Sequence, residues 1–408
     1  MASNSELALM TKLLGIERMK VKKYRLITGI GVLIYLESQD KKVVCPRCGK
    51  KTDKLHQNRE YTVRDLPLAQ QPVYLKVNRR RLRCPSCQKI FAEKFSWVKK
   101  RKTYTERFKS KILTEVLESD IKNVAERNDV SEQEIETMLK EVGEELMAEK
   151  PQEIKRLGID EIALVKGQKN YCAVLVDLDE RAIVGILPKR TQEEVKKHLE
   201  SWGEEVLGQI EEVSIDLWKP YQTVVSQVIP QAEIVADRFH LMKQVNDELD
   251  EARRKAKREA KKIKKKAERK SVNEGLTKSK YVLLKNESEL SERELEKLKE
   301  VQKVVPKLGR MHQLKEEFRK IFEDSNDWKK GLLSFGDWLT EASKYFPKSS
   351  KTIKRWIGEI IAYFDHRTSQ GVVEGINNKI KLIKRRAFGF RNFDNFRIRC
   401  FLNWYFAY

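Results

Sequence analysis

The chain has 408 residues, 36% of them charged, and a formal net charge of +23. That length accommodates two or three domains with real cores, and that charge favours a polyanionic partner, whose displaced counterions would supply much of the affinity. No apolar run reaches the roughly 20 residues that span a bilayer, so no membrane partner is expected; Met1 to Lys20 also lacks the pattern of a secretory signal, and a cytoplasmic protein is expected.

Residues 22 to 44 alternate as a strand does and lead into a first CxxC pair. Tyr61 to Val77 is again strand-like, and Arg79, Arg80 and Arg81 precede a second CxxC. Residues 1–100 therefore read as an N-terminal strand region with a small β-rich module. Residues 101–150 read as helical. Asp120 to Asn128 and Glu132 to Lys140 flank the turn Asp129-Val-Ser131, and Ser131 with Glu134 forms a capping-box pattern. That spacing suits a helix-turn-helix-like module.

From Gly158 the composition changes. Leu157–Leu164, Asn170–Leu178 and Arg181–Pro188 read as strands, Thr191–Trp202 as a helix, Glu212–Leu217 as a strand, Tyr221–Val228 as a helix and Glu233–Ala236 as a strand. This is the element order of a ribonuclease-H-like core, here the first part of an α/β catalytic domain over 151–240. Residues 241–363 read almost wholly as helix without a Gly/Ser-rich linker, which indicates a large α-helical insertion. Residues 364–408 are then the end of the catalytic core.

Cys45-Pro-Arg-Cys48 and Cys84-Pro-Ser-Cys87 each place two thiolates on a tight turn. Four thiolates satisfy the tetrahedral preference of Zn²⁺ and leave no open position, so a structural zinc ribbon is expected. Cys172 and Cys400 have no such neighbours and read as core residues, and His56 is a weaker alternative ligand. Among the acidic residues, Asp160 lies in the first core strand and Asp216 near the end of the fourth, strands that are adjacent in a ribonuclease-H-like sheet. Glu374 precedes a helical stretch, Gly375 to Lys379, able to pack against that sheet. Hard carboxylate oxygens of this kind hold Mg²⁺, and two such ions serve in-line phosphodiester displacement. Strand-end or surface carboxylates are the alternative reading.

Several segments together carry a resemblance. They include Cys45 to Gly49, Arg64-Asp-Leu-Pro67, Gly158-Ile-Asp-Glu161, Ser214-Ile-Asp216, Ile234-Val-Ala-Asp-Arg-Phe-His-Leu241, Lys280 to Lys285, Gly371-Val-Val-Glu-Gly-Ile-Asn-Asn-Lys-Ile-Lys381 and Arg385 to Asn392. In their order the chain resembles the ISL-three family of bacterial insertion-sequence transposases over nearly its whole length. The resemblance implies a DD(E) enzyme that cleaves and joins DNA with two Mg²⁺ or Mn²⁺ ions held by Asp160, Asp216 and Glu374. It also implies double-stranded DNA partners (the element's terminal inverted repeats and target DNA), a homodimer or larger assembly, and a nucleoid-associated location. Asp237 competes for the second ligand position, with strand adjacency favouring Asp216. Asp237-Arg-Phe-His240 also resembles the (C/D)xxH motif of Mutator-type enzymes. His240 then orients Asp237, contacts DNA, or makes a structural hydrogen bond.

DNA contacts are expected from Arg79, Arg80, Arg81 and Arg83 beside the second knuckle. Others are expected from the basic run containing Arg253, Arg254, Lys257, Lys261 and Lys264, which would be basic all round if helical, and from Lys379, Lys381, Lys384, Arg385 and Arg386 after Glu374. A solvated charged helix is the plainer reading of the basic run. The acidic second helix of the 101–150 module (Glu132, Glu134, Glu136, Glu141, Glu144, Glu145) would repel phosphates, so packing or dimerisation is its expected task. The alternative function is an inactive or domesticated relative acting as a sequence-specific DNA-binding protein.

Overall fold

The computed structural model describes residues 3–148, 150–163, 171–367, 371–390 and 392–405. The chain forms two compact units, Met1–Leu146 with Ile383–Tyr408, and Met147–Leu382.

The first unit opens with α1 (Asn4–Leu14), which the sequence reading did not anticipate. Its start is fixed locally, because Ser3 Oγ accepts from the Glu6 N–H at 3.3 Å and the Glu6 carboxylate accepts from the Ser3 N–H at 2.7 Å. The strands β1 (Met19–Ile27), β2 (Gly31–Ser38), β3 (Val43–Val44), β4 (Lys51–Thr52), β5 (Leu55–Leu68), β6 (Gln71–Arg83) and β7 (Ile90–Ala92) follow. The main sheet runs β1-β2-β6-β5, with β7 on β6, while β3 and β4 pair separately. Alternation puts Val32, Ile34 and Leu36 of β2 beside Val73, Leu75 and Val77 of β6 in one core. Gly31 is required there: its φ is +126°, and a Cβ would lie 2.2 Å from the Pro72 carbonyl oxygen.

The helices α2 (Glu106–Glu118), α3 (Ile121–Asn128) and α4 (Glu132–Ala148) complete the N-terminal part. Thr105, Asp120 and Ser131 cap them through side-chain oxygens that accept from Phe108, Asn123 and Glu134 N–H groups. Buried Asp65 of β5 accepts from Thr105 Oγ1 and Arg107 Nε, each at 2.7 Å, which ties α2 to the sheet.

The second unit contains β8 (Arg156–Ala163), β9 (Tyr171–Asp177), β10 (Ala182–Leu187), α5 (Gln192–Glu200), α6 (Glu204–Leu207), β11 (Glu212–Ile215), α7 (Lys219–Val228) and β12 (Glu233–Ala236). The sheet order is β10-β9-β8-β11-β12. β8, β9 and β10 pair antiparallel, and β11 lies parallel between β8 and β12. The continuous burial of β9 and β11 reflects a sheet covered on both faces.

Eight helices follow: α8 (Arg238–Ala260), α9 (Lys266–Leu276), α10 (Ser279–Leu284), α11 (Glu292–Val304), α12 (Pro306–Asp324), α13 (Trp328–Tyr345), α14 (Pro347–Arg355) and α15 (Ile357–His366). They share one hydrophobic core with the sheet, from Ile154 to Phe364.

The basic run differs from expectation in two ways. Over Arg253–Lys270 it is not basic all round, because Ala260 is buried and Ala256 and Ile263 pack on the same core, continuing the apolar stripe of Leu241, Val245 and Leu249 earlier in α8. Nor is it one helix: α8 ends at Ala260 and α9 starts at Lys266. The break falls where six residues include five lysines and Ile263 turns onto the core, so like charges one turn apart need not be held together.

Next comes α16 (Gly371–Arg386), which places Glu374 in its first turn and not before the helix. The last helix, α17 (Phe393–Tyr405), packs in the first unit. Arg399 is 1% exposed there and donates to the carbonyls of Val116 and Ser119 at the end of α2. At Gly143 of α4, a Cβ would come within 2.4 Å of Ile398 Cγ1, so α4 and α17 touch nearly backbone to side chain.

Candidate functional site

The four expected thiols converge. Cys45 Sγ lies 3.6 Å from Cys87 Sγ, and Cys48 Sγ lies 3.5 Å from Cys84 Sγ. All four sulfurs fall within 4.8 Å of one another. A tetrahedron with arms of roughly 2.3 Å has edges of roughly 3.8 Å, so the spacing fits Zn²⁺ and is far too long for a disulfide. The two turns share a hydrogen-bond scheme: Cys45 N–H donates to Lys50 O and Cys84 N–H to Lys89 O, each at 2.9 Å.

Electrostatics favour the thiolate at Cys84 and Cys45, whereas Cys48, although the Lys50 N–H lowers it, is pushed up to about 11 by Cys84 beside it and by burial. The Cys87 backbone N–H is the largest influence holding Cys84 down at about 6, with burial opposing it and the Ser86 N–H assisting. At Cys45, burial raises the thiol but the Arg47 and Cys48 N–H groups outweigh it and lower it. His56 is exposed and takes no part in the cluster, while Cys172 and Cys400 are fully buried.

In the second unit β8 and β11 pair in parallel, with Ile159 opposite Ile215. Asp160 follows Ile159 within β8, where it pairs with Val174 of β9, and Asp216 is the first residue after β11, so the two positions are next to each other across this strand pair. Asp160 Oδ1 accepts from the Glu161 N–H at 2.7 Å, and Oδ2 accepts from Asn377 Nδ2 at 2.6 Å. Burial raises the Asp160 carboxyl above its usual range, aided by the charges of Asp237 and Glu161 and opposed by the Glu161 N–H and His240. Asp216 is pushed up to about 7, first by burial and then by Glu161 and Asp160, with His240 opposing. Its Oδ1 is buried and has no hydrogen-bond partner among the described residues.

Asp237 is differently engaged. Its Oδ1 accepts from the Phe239 N–H at 2.9 Å and caps α8, and its Oδ2 lies 2.6 Å from His240 Nδ1. Burial works against protonation of His240, but Asp237, Asp160 and Asp216 overcome it and raise its pKa. Glu374 is exposed and lines, with Asp237, Arg238 and Phe239, a cavity of about 450 Å³. Among the described residues, the carboxylates of Asp160, Asp216 and Glu374 do not all lie within 4.8 Å of one another, as the four thiols do.

Sequence reading missed three residues here. Glu161 pairs with Arg190, whose guanidinium lies 4.6 Å from the Tyr171 ring and 4.7 Å from the Trp218 ring. Asn377, the donor to Asp160, was legible only as a position three residues after Glu374.

The basic candidates divide. Arg80 faces inward and binds buried Glu93 through Nε at 2.8 Å and Nη2 at 2.6 Å, and Nη2 also donates to the Asp40 carbonyl. It is a structural ion pair, which displaces the expected DNA contact. Arg79 donates to the Glu93 carbonyl, whereas Arg81 and Arg83 are exposed. Arg253 and Arg254 both pair with Asp250, at 2.7 and 3.1 Å, and with Lys257 and Lys261 they line one open basic cleft; Lys264 is exposed. On α16, Lys381, Arg385 and Arg386 are exposed, Lys384 is half-buried, and Lys379 is on the exposed side. The acidic surface of α4 is partly neutralised: Glu141 pairs with Lys102 and Lys109, and Glu145 with Lys99.

The comparisons with known proteins agree with this layout. Residues 157–400 match the family model for the DDE domain of ISL3 transposases. Residues 41–87 match the zinc-finger of transposase IS204/IS1001/IS1096/IS1165, and residues 93–143 match the helix-turn-helix domain of transposase family ISL3. A transposase for insertion sequence element IS1001 from Bordetella parapertussis is 27% identical over 377 residues, covering 91% of each chain. A transposase for insertion sequence element IS1557 from Mycobacterium tuberculosis is 30% identical over 258 residues, covering 59% of this chain and 57% of the relative. An α/β domain of DDE type behind a zinc ribbon and a DNA-binding helix-turn-helix defines a transposase. The chain belongs to the ISL3 (ISL-three) family of insertion-sequence transposases.

Proposed function

We propose that the second unit is a ribonuclease-H-like catalytic core in which Asp160, Asp216 and Glu374 hold two Mg²⁺ or Mn²⁺ ions and cut and rejoin DNA at the ends of an insertion sequence. The observation that carries this reading is the adjacency of Asp160, within β8, and Asp216, directly after the parallel strand β11, with Asp216 Oδ1 buried and without a partner among the described residues. Hard oxygen donors in such a setting suit a small divalent cation. Bound there, a pair of such ions would supply charge for the attacking and leaving oxygens of an in-line displacement.

The chain's own part is positioning. Asp216 has an oxygen without a partner among the described residues and follows β11, the strand adjacent to β8, which favours it as the second ligand over Asp237, which follows β12 one strand further away and caps α8. Asp237 orients His240, whose pKa the carboxylates of Asp237, Asp160 and Asp216 raise against the effect of burial, so that a DNA phosphate would meet an imidazole biased toward holding its proton. Water attack at an element end would leave a 3′-hydroxyl, and attack by that hydroxyl on target DNA would join the strands; no Ser or Tyr nucleophile is needed.

Terminal inverted repeats would be bound by the zinc ribbon through Arg79, Arg81 and Arg83. Backbone contacts would come from Arg254, Lys257, Lys261 and Lys264 and from Lys379, Lys381, Lys384, Arg385 and Arg386. Pairing two ends calls for a homodimer or larger assembly, working on DNA in the bacterial nucleoid.

The test is cleavage of labelled DNA carrying the element's flanking ends, with Mg²⁺ or Mn²⁺, by the wild type, Asp216→Asn and Asp237→Asn. End-specific nicking lost in Asp216→Asn with DNA binding retained supports the reading. Tight binding without nicking by the wild type under either metal replaces it with a regulatory DNA-binding role.

A further inference from the structure

The approach of α16 to β8 rests on two contacts whose spacing matches. Gly158 and Asp160 lie on one face of β8, two residues apart, a rise of roughly 6.6 Å. Val373 and Asn377 lie on one face of α16, four residues apart, a rise of roughly 6 Å. Val373 sits over Gly158, where an added Cβ would be 2.9 Å from Val373 Cγ2, and Asn377 sits over Asp160, donating to Oδ2 at 2.6 Å. The glycine lets the helix come close, and the amide fixes its register. Glu374 shares a face of α16 with Asn377, one turn earlier.

Asn377 is chemically matched to this place. It is 6% exposed. An ionised carboxylate only accepts, so the amide must turn its NH₂ toward Asp160. Asn377 Oδ1 is then left buried with no partner among the described residues. A buried carbonyl without a donor is costly and is satisfied by a water or by the hydration shell of an ion. The Glu161 N–H already holds Asp160 Oδ1, so with Asn377 on Oδ2 both oxygens are oriented, while each keeps a lone pair for a cation.

We infer that Asn377 is a positioning residue of the catalytic centre: it orients the Asp160 carboxylate for a divalent cation and registers the Glu374-bearing helix against it. This rests on the reading of Asp160 as a metal ligand and goes beyond it by naming the group that sets the carboxylate. Partners of metal ligands at this remove typically account for about 10–100-fold in metal affinity or activity.

The experiment uses the full chain bound to element-end DNA and measures Mn²⁺ binding by electron paramagnetic resonance, with the melting temperature recorded in parallel. The proteins are the wild type, Asn377→Ala, Asn377→Leu (which fills the space but donates nothing) and Asp160→Asn. The expected result is Mn²⁺ affinity weakened about tenfold or more in both Asn377 variants, with zinc content and DNA affinity unchanged. Wild-type Mn²⁺ affinity in either folded Asn377 variant, with loss in Asp160→Asn, overturns this inference alone, as does a lowered melting temperature without a change in Mn²⁺ affinity. Wild-type affinity in Asp160→Asn overturns the metal-ligand reading of Asp160, and this inference with it.

Discussion

His240 Nδ1 lies 2.6 Å from Asp237 Oδ2, and the other oxygen of the same carboxylate accepts the Phe239 N–H. One side chain therefore both starts α8 and orients the imidazole that faces Asp160 and Asp216. The two tasks are separable. Asp237→Asn keeps an oxygen for the cap and should cost little stability, whereas Asp237→Ala should cost about 1–2 kcal/mol in urea unfolding. Equal losses in the two would show that the cap is not the stabilising contact.

The four thiols should bind one Zn²⁺ per chain. Cys84→Ser is expected to abolish stoichiometric zinc in elemental analysis and to melt the turns at Cys45–Cys48 and Cys84–Cys87, because a closed zinc site contributes directly to folding. Cys172→Ser, at a buried position far from the cluster in sequence, should leave the zinc content at one. Full zinc in Cys84→Ser would remove Cys84 from the ligand set.

Neighbouring arginines on β6 should part company. Arg80→Ala strands buried Glu93 without its guanidinium and should lower the stability of the first unit by about 3 kcal/mol. Arg81→Ala, at an exposed position, should leave stability within about 0.5 kcal/mol. If it touches a phosphate, it should lower the salt dependence of DNA binding by about one counterion. Denaturation and salt-titrated binding of the two variants would read both effects.

His312 of α12 supplies a pH dependence. It is fully buried, and burial, with Lys315 nearby and Glu316 opposing, pushes its pKa down to about 4 from 6.5, although Glu287 Oε2 also lies 3.7 Å from its Nδ1. The folded value is the lower one, so the unfolded chain takes up the proton first. Stability from this group is complete above pH 6.5 and is lost as pH falls from there toward 4. Between pH 7.5 and 5 the loss should be about 2 kcal/mol. His312→Leu should be less sensitive over the same interval in urea unfolding, and an unchanged slope would count against the assignment.

Much of this was legible in the sequence because the signals were local. The cysteine pairs carry their own spacing, and the strands of the second unit appear as short apolar runs between Gly, Asp and Lys, since buried strands leave little else. Asp160 and Asp216 could be proposed as neighbours because the order of elements constrains which strands adjoin. What escaped depended on contacts distant in sequence. Arg80 looks like Arg79 and Arg81 until β7 brings Glu93 beside it. Asn377 acquires meaning only when α16 lies on β8, more than 200 positions from Asp160. The basic run was read by charge alone, which hid the seam of Ala252, Ala256 and Ala260 that a helical period would have exposed.

The docking of α17 on α2 has a consequence for biosynthesis. The ribosome releases α2 and α4 well before α17, for Arg399, which covers Val116 and Ser119, is translated 283 and 280 positions after them, and Ile398, which meets Gly143, follows the whole second unit in sequence. At roughly 5–20 residues per second, the intervening stretch takes on the order of ten seconds or more to make. During that interval α2 and α4 wait with their α17-facing surfaces uncovered, and a nascent chain truncated before Arg399 never closes them. The first unit is thus begun before the second and finished after it.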